Sequence, residues 1–276
     1  MNDRVRIDID ALGVAEVRLV RGDKMNALDA AMFSALTEAL AELRGVQRLR
    51  AVVLHGEGKA FCAGLDMGRF QAMADTGGAG LPGARDLRLR THGLANGPQH
   101  IAQGWRELPV PVIAAVHGVA FGGGLQLALG ADIRLLAPDT RLSVMEIKWG
   151  LVPDMAGMAL VRGLLRDDVL RELTYTGRVV NADEAVALGL GTRVCADPLA
   201  EARAMAQAIA QRSPSATRAA KRLLNLASRS VDDSAGALLQ AESDEQQVLL
   251  GGVHQREAVK ANLEKRAPQF DDAART

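Results

Sequence analysis

The sequence predicts an α/β core followed by a helical C-terminal region. Three observations carry that expectation. Strand-like runs alternate with helical periodicity up to residue 197, and everything after Pro198 reads helical. Between them, the apolar run Val110 to Val116 (VPVIAAV) passes through Gly122-Gly123-Gly124 directly into the strong helix former Leu125 to Leu129 (LQLAL). Residues 1–197 are therefore expected to form the core that carries the ligand site, and 198–276 a helical region.

Taken in order, Arg4 to Ile9 and Ala15 to Val20 alternate as two strands joined around Gly13. Asp29 is placed to cap a helix over 30–43, with Met32, Leu36, Leu40 and Leu43 on one face. Residues 51–54 read as a buried strand, 65–74 as a short helix and 76–84 (TGGAGLPGA) as a loop. Residues 86–108 read helical in parts, interrupted at Asn96-Gly97-Pro98. A strand over 112–116, the glycine corner, a helix to about Gly130 and a strand over 133–136 follow, and an extended piece precedes Glu146. Helices are expected near 155–163, 167–176 and 182–189, then a short strand over 192–195. Helices over 199–211, 214–228, 232–250 and 253–265 complete the chain, with no short-period repeat.

Composition narrows the function classes. A chain of 276 residues, 48% hydrophobic, can bury a large core. Lys+Arg and Asp+Glu number 33 each, so no global field draws it to nucleic acid or to an anionic membrane, and any anionic ligand must meet local cations. Cys62 and Cys195 stand far apart without a CxxC or a histidine cluster, which predicts neither disulfide nor zinc and fits a reducing, cytoplasmic setting. The polar start MNDRVRIDID predicts no signal peptide. The apolar window 110–133 contains Pro111, His117, internal glycines at 118 and 122–124, and Gln126, so a broken strand–turn–helix explains it better than a membrane span.

Motifs for a serine-hydrolase elbow, a zinc protease, an EF-hand and a P-loop are all missing, and the five histidines form no ligand pattern. His117, following a buried strand, reads as a structural residue. Three elements remain. Ala60-Phe61-Cys62-Ala63-Gly64-Leu65-Asp66 is a small-residue corner between a strand and a helix. The triple glycine leaves the first N–H groups of a helix uncovered where the helix dipole favours negative charge, although three glycines fit a close-packed turn equally well. The segment 143–154 (SVMEIKWGLVPD) places Glu146 and Asp154 eight residues apart among apolar neighbours. Desolvation raises a carboxylic pKa there and suits it to proton transfer; the plainer reading of Glu146 is a cap or a salt-bridge partner.

Together these segments resemble the crotonase superfamily, the enoyl-CoA hydratase/isomerase family, over nearly the whole chain. Lys24-Met25-Asn26-Ala27-Leu28 is similar to its N-A-L segment, AFCAGLD to its first oxyanion corner and PVIAAVHGVAFGGGLQLALGADIR to its second. EIKWGLVPD is similar to the catalytic-carboxylate segment, Tyr175-Thr176-Gly177-Arg178 and Ala185 to Gly191 to later family segments, and Glu264 to Phe270 to the E-K-R-x-P-x-F tail.

The resemblance implies a crotonase-like core of repeated ββα units, a C-terminal helical trimerisation region, and a homotrimer or a hexamer made as a dimer of trimers. It also implies an acyl-CoA substrate, with coenzyme A as part of the substrate and no separate cofactor. The N–H groups of Leu65 and Gly123 would form the oxyanion hole. Lys24, Ala27, Lys59 and Ala63, with Lys265 and Arg266 from a neighbouring subunit, would contact CoA. Glu146 would be the acid/base, and Asp154 a second acid or a tuner of it. One departure matters. Hydratases of the family carry a glutamate where this chain has Gln126, which can orient substrate or water but can neither take nor give up a proton at neutral pH. Isomerase-type proton transfer by a single glutamate is therefore expected, with a hydratase of altered activity or a non-catalytic acyl-CoA-binding homologue as alternatives.

Overall fold

A computed structural model describes residues 3–69, 86–229, 246 and 252–272. Its strands are β1 (Val5–Ile9), β2 (Val14–Leu19), β3 (Ala51–Gly56), β4 (Val112–Val116), β5 (Val119–Phe121), β6 (Ile133–Leu136), β7 (Arg141–Ser143), β8 (Val180–Asn181) and β9 (Arg193–Val194). The larger sheet runs β1-β2-β3-β4-β6-β9, antiparallel at β1/β2 and parallel elsewhere. The smaller runs β5-β7-β8. Every residue of β3 and β4 is buried, as central parallel strands covered on both faces require. β4 and β6 each continue within a few residues into a strand of the small sheet, β5 and β7. After β3 the chain turns likewise, pairing at Cys62 with Ala120 of β5 in a single parallel bridge.

Helix α1 (Ala30–Gly45) starts at Asp29, whose carboxylate accepts the Met32 N–H. It buries Met32, Leu36, Leu40 and Leu43 against one face of the larger sheet, as its periodicity predicts. The expected interruption at Asn96-Gly97-Pro98 is instead the start of α2 (Gly97–Glu107). Asn96 and Gln99 form a reciprocal capping box, and a proline near the first turn lacks only an N–H that no helical carbonyl would accept. α3 (Gly123–Leu129), α4 (Gly157–Val161), α5 (Asp167–Thr176) and α6 (Ala182–Leu188) follow the glycine corner and the later strands.

Beyond the expected boundary at 198, α7 (Pro198–Ala210) covers the second face of the sheet, packing Ala202 and Ala206 against Val53, Ile113, Ala115 and Leu135. α8 (Pro214–Arg229) docks with polar side chains. Arg218 donates to the carbonyls of Gln47 and Leu49, Asn225 to that of Arg106, and Lys221 to those of Trp105 and Val110 and to Asp132 at 2.8 Å. α9 (Val253–Leu263) follows. The expected helix over 232–250, with Leu238, Leu239, Val248, Leu249 and Leu250, lies outside the described residues, as do the loop over 76–84 and most of the helix expected over 65–74.

Candidate active site

Two backbone corners meet because the small sheet counts them from one register point. The Cys62 N–H donates to the Val119 carbonyl and the Phe121 N–H to the Cys62 carbonyl, the two bonds of the Cys62/Ala120 bridge. Leu65 lies three residues beyond one bridge partner and Gly123 three beyond the other. A Cβ on Gly64 would stand 2.5 Å from the Phe121 carbonyl oxygen, and one on Gly124 would stand 2.1 Å from that of Cys62. The corners approach this closely only because both residues are glycine.

The donor directions follow from pairing. Leu28 bridges Leu65 in parallel fashion by donating to the Gly64 carbonyl and accepting from the Asp66 N–H, so the N–H of Leu65 itself points away from Leu28. Gly123 is the first residue of α3, where no intrahelical acceptor exists. Among the described residues neither N–H has a hydrogen-bond partner, and both residues line the same cleft. Two unpaired donors at adjoining corners can hold one developing oxyanion.

The carboxylate sits across the glycine corner. Glu146 opens a 3-10 turn (Glu146–Trp149) closed by Gly150 in the left-handed region, and is 9% exposed. A Cβ on Gly122 would stand 3.3 Å from Glu146 Oε1. Gln126, one turn into α3, donates from Nε2 to Glu146 Oε1 at 2.7 Å. The Gln126 carbonyl in turn accepts the N–H groups of Met155 and Gly157, both at 2.8 Å, which forces the amide nitrogen towards Glu146. Among the described residues Glu146 Oε2 is buried without a hydrogen-bond partner. Burial raises the Glu146 pKa, more than its hydrogen bonds lower it, and the nearby Asp154 charge adds to the rise. The Asp154 carboxyl is raised by burial as well. No Lys or Arg salt-bridges Glu146 among the described residues, so the plainer reading of it as an ion-pair partner does not describe it.

A cleft of about 1070 Å³ joins these groups. Glu146, Gln126, Asp154, Leu65 and Gly123 all line it, as do Lys24, Ala27 and Ala63. The remaining wall is largely apolar, including Met67, Leu87, Trp149, Leu151, Val152 and Met155. Lys59 is exposed in the turn after β3 and does not line the cleft. Lys265 and Arg266 are also outside the lining: Arg266 pairs with Glu257 and Glu264, and the following residues Phe270 and Asp271 accept from Arg50, just before β3. The tail thus lies against the start of β3, while the first corner follows its end.

Two residues that the sequence reading did not single out for chemistry hold the first corner. Asn26, fully buried with φ +54°, accepts the Arg21 N–H and donates to the carbonyls of Glu57 and Ala60. Arg21 lines the cleft and binds Asp66 at 2.6 Å. His117 hydrogen-bonds the Gly58 carbonyl at 3.0 Å, a structural contact.

Comparison with known proteins identifies the family of the chain. Residues 10–273 match the family model described as enoyl-CoA hydratase/isomerase. A Bacillus subtilis protein named "Probable enoyl-CoA hydratase" is 31% identical, over 92% of this chain and 94% of its own. The mouse "Enoyl-CoA hydratase domain-containing protein 2, mitochondrial" is 33% identical, over 94% of this chain and 84% of its own. The crystal structure of an enoyl-CoA hydratase from Polaromonas sp. JS666 superposes with a TM-score of 0.84 at 29% identity, covering 97% of this chain and 99% of that one. One from Mycobacterium smegmatis gives 0.79 at 30% identity, covering 97% and 98%.

Proposed function

The chain belongs to the enoyl-CoA hydratase/isomerase family, and on that premise we propose that it is an enoyl-CoA isomerase working through one carboxylate. The observation that carries the reading is the 2.7 Å bond from Gln126 to Glu146 Oε1, with Oε2 unpartnered among the described residues. A 3-enoyl thioester would place its carbonyl oxygen on the N–H groups of Leu65 and Gly123. Glu146 Oε2 takes the proton from C2, breaking the C–H bond, and the charge passes into a dienolate whose oxygen the two donors hold. Returning that proton to C4 moves the double bond to C2–C3. One carboxylate completes the cycle, and the amide of Gln126 keeps its other oxygen occupied throughout.

Hydration is the second reading. Asp154 lies in the same cleft with a raised pKa and could manage the second proton that Gln126 cannot transfer, and the Bacillus subtilis relative is named a probable enoyl-CoA hydratase. A non-catalytic acyl-CoA-binding homologue is the third, disfavoured by the two free donors facing two desolvated carboxyls. In the leading scheme Lys24 and Lys59, with Lys265 and Arg266 from a neighbouring subunit, meet the CoA phosphates, and Ala27 and Ala63 border CoA. The protein works in the cytoplasm as a homotrimer or hexamer and needs no cofactor besides the CoA of its substrate. Among the described residues no helix is long and apolar enough to cross a membrane.

Rates on a 3-enoyl-CoA and a 2-enoyl-CoA of matched chain length decide between the first two readings. Isomerisation should be the faster; hydration at an equal or greater rate would overturn the preference. Light scattering at micromolar concentration should give three or six subunits, and a monomer would remove the neighbouring-subunit contacts from the scheme.

A further inference from the structure

Arg21 is not used by the reaction scheme, yet its contacts converge on one of the two oxyanion donors. Its side chain is 15% exposed and borders the cleft. Nη1 donates to the Ala27 carbonyl at 2.9 Å and to Asp66 Oδ2 at 2.6 Å, and Nη2 lies 3.5 Å from Asp29 Oδ2. Ala27 immediately precedes Leu28, and Asp66 immediately follows Leu65. Leu28 donates to the Gly64 carbonyl at 2.8 Å and accepts the Asp66 N–H at 3.2 Å. Before Leu65 the corner is also held by the Ala63 N–H on the Met25 carbonyl at 2.9 Å, whereas after it the bond from the Asp66 N–H to Leu28 is the longer one. The tie from Ala27 through Arg21 to the Asp66 side chain adds a second hold on that side.

Resting on the reading of Leu65 as an oxyanion donor, we propose that Arg21 is a positioning residue whose bridge from Ala27 to Asp66 aims the Leu65 N–H into the cleft. Asp66 is well suited to receive the bridge. Its other oxygen already accepts the Gly68 N–H at 2.8 Å. Burial alone would push this carboxyl up, but the Gly68 N–H and the Arg21 guanidinium hold it below its ordinary range and so keep it charged. Arg21 is poorly placed to hold a CoA phosphate instead. With Asp66, Asp29 and Arg4, which also binds Asp29 and Asp3, it forms a group of two cations and three anions with no positive charge to offer.

Arg21→Gln and Arg21→Lys separate the two roles when each is assayed on an enoyl-CoA and on the enoyl-pantetheine thioester, which lacks the nucleotide phosphates. Positioning predicts that Arg21→Gln lowers kcat about tenfold or more on both thioesters, with KM within about threefold, since a misaimed donor acts on the transition state. Arg21→Lys should recover part of the loss. Asp66→Asn should reproduce it, and the double variant should be no worse than the poorer single one. A defect confined to KM for the CoA ester would identify a phosphate ligand and overturn the proposal. A binding measurement keeps the two readings apart. A conjugated 2,4-dienoyl-CoA bound to wild type should show a red-shifted absorbance as its carbonyl is polarised, and Arg21→Gln should lose most of that shift. No shift in wild type would overturn the oxyanion reading and this inference with it; an equal shift in the variant would overturn this inference alone.

Discussion

Replacing Gln126 by glutamate should convert the site from one carboxylate to a proton-sharing pair. The exchange keeps size and shape, and the retained oxygen can still accept the Met155 and Gly157 N–H groups at 2.8 Å. What changes is the atom 2.7 Å from Glu146 Oε1, from an amide nitrogen that donates to an oxygen that does not. For two full charges at that distance, Coulomb's law with an effective dielectric constant of about 20 gives about 6 kcal/mol of repulsion, roughly a factor of 10⁴ in the second ionisation constant. One proton therefore stays on the pair at neutral pH. It should reside on Glu146, because the two N–H donors favour the anion at position 126. Such a pair holds one acid and one base, as addition of water requires. The ratio of hydration to isomerisation should rise by about tenfold or more, within the range general acid–base catalysis supplies. The assay follows both reactions on substrates of matched chain length across a pH series, in wild type and variant. An unchanged ratio in a folded variant, or a pH profile without a second ionisation, would refute the single-carboxylate reasoning.

Glu146→Gln should remove nearly all turnover while acyl-CoA binding by calorimetry survives; full activity would move the acid/base role to Asp154. In wild type, proton abstraction needs ionised Glu146, whose pKa lies above the ordinary 4.5 through burial. The kcat/KM profile should therefore fall with acid through an ionisation above that value, and an acid limb below it would count against Glu146. Gly123→Pro deletes one donor N–H and should cost about 3 kcal/mol of transition-state stabilisation. A Cβ there meets only the flexible ends of Met155 and Leu28, at 2.9 and 3.0 Å, so the fold should survive, and unchanged turnover would place the thioester oxygen elsewhere. Lys221→Met leaves Asp132 with the Val112 N–H but without its ion-pair partner, and should cost about 3 kcal/mol of stability. Thermal unfolding should show a fall of about 10 °C, and an unchanged midpoint would mean α8 is held by its other contacts.

The larger sheet was legible because β2, β3 and β4 are long enough to show their burial in composition. β5 and β8, of three and two residues, are too short for any periodicity to register, yet β5 supplies the register that sets the corners side by side. Asn96-Gly97-Pro98 read as a break because the same residues that stop a helix also start one; only the capping partner Gln99 distinguishes the two. At the site, Glu146, Leu65 and Gly123 were legible from the order of short motifs. The hold on Gln126 was not, since its two N–H partners come from residues 29 and 31 positions away. Arg21 gave no signal, because an arginine after a strand carries no mark of its partner 45 positions on.

The shared starting point at Cys62 and Ala120 limits where this chain can change length. Each span turns at a left-handed glycine, Gly64 at φ +90° and Gly122 at φ +51°, so one residue inserted between 62 and 65, or between 120 and 123, would move the turn relative to the bridge and take the donor N–H away from the ligand while leaving every side chain nearby intact. No substitution could restore the lost donor, because the group that moved belongs to the main chain. Insertions meant to reshape the substrate cavity therefore belong outside these two four-residue spans, and a compensating deletion within the same span is the only repair they admit.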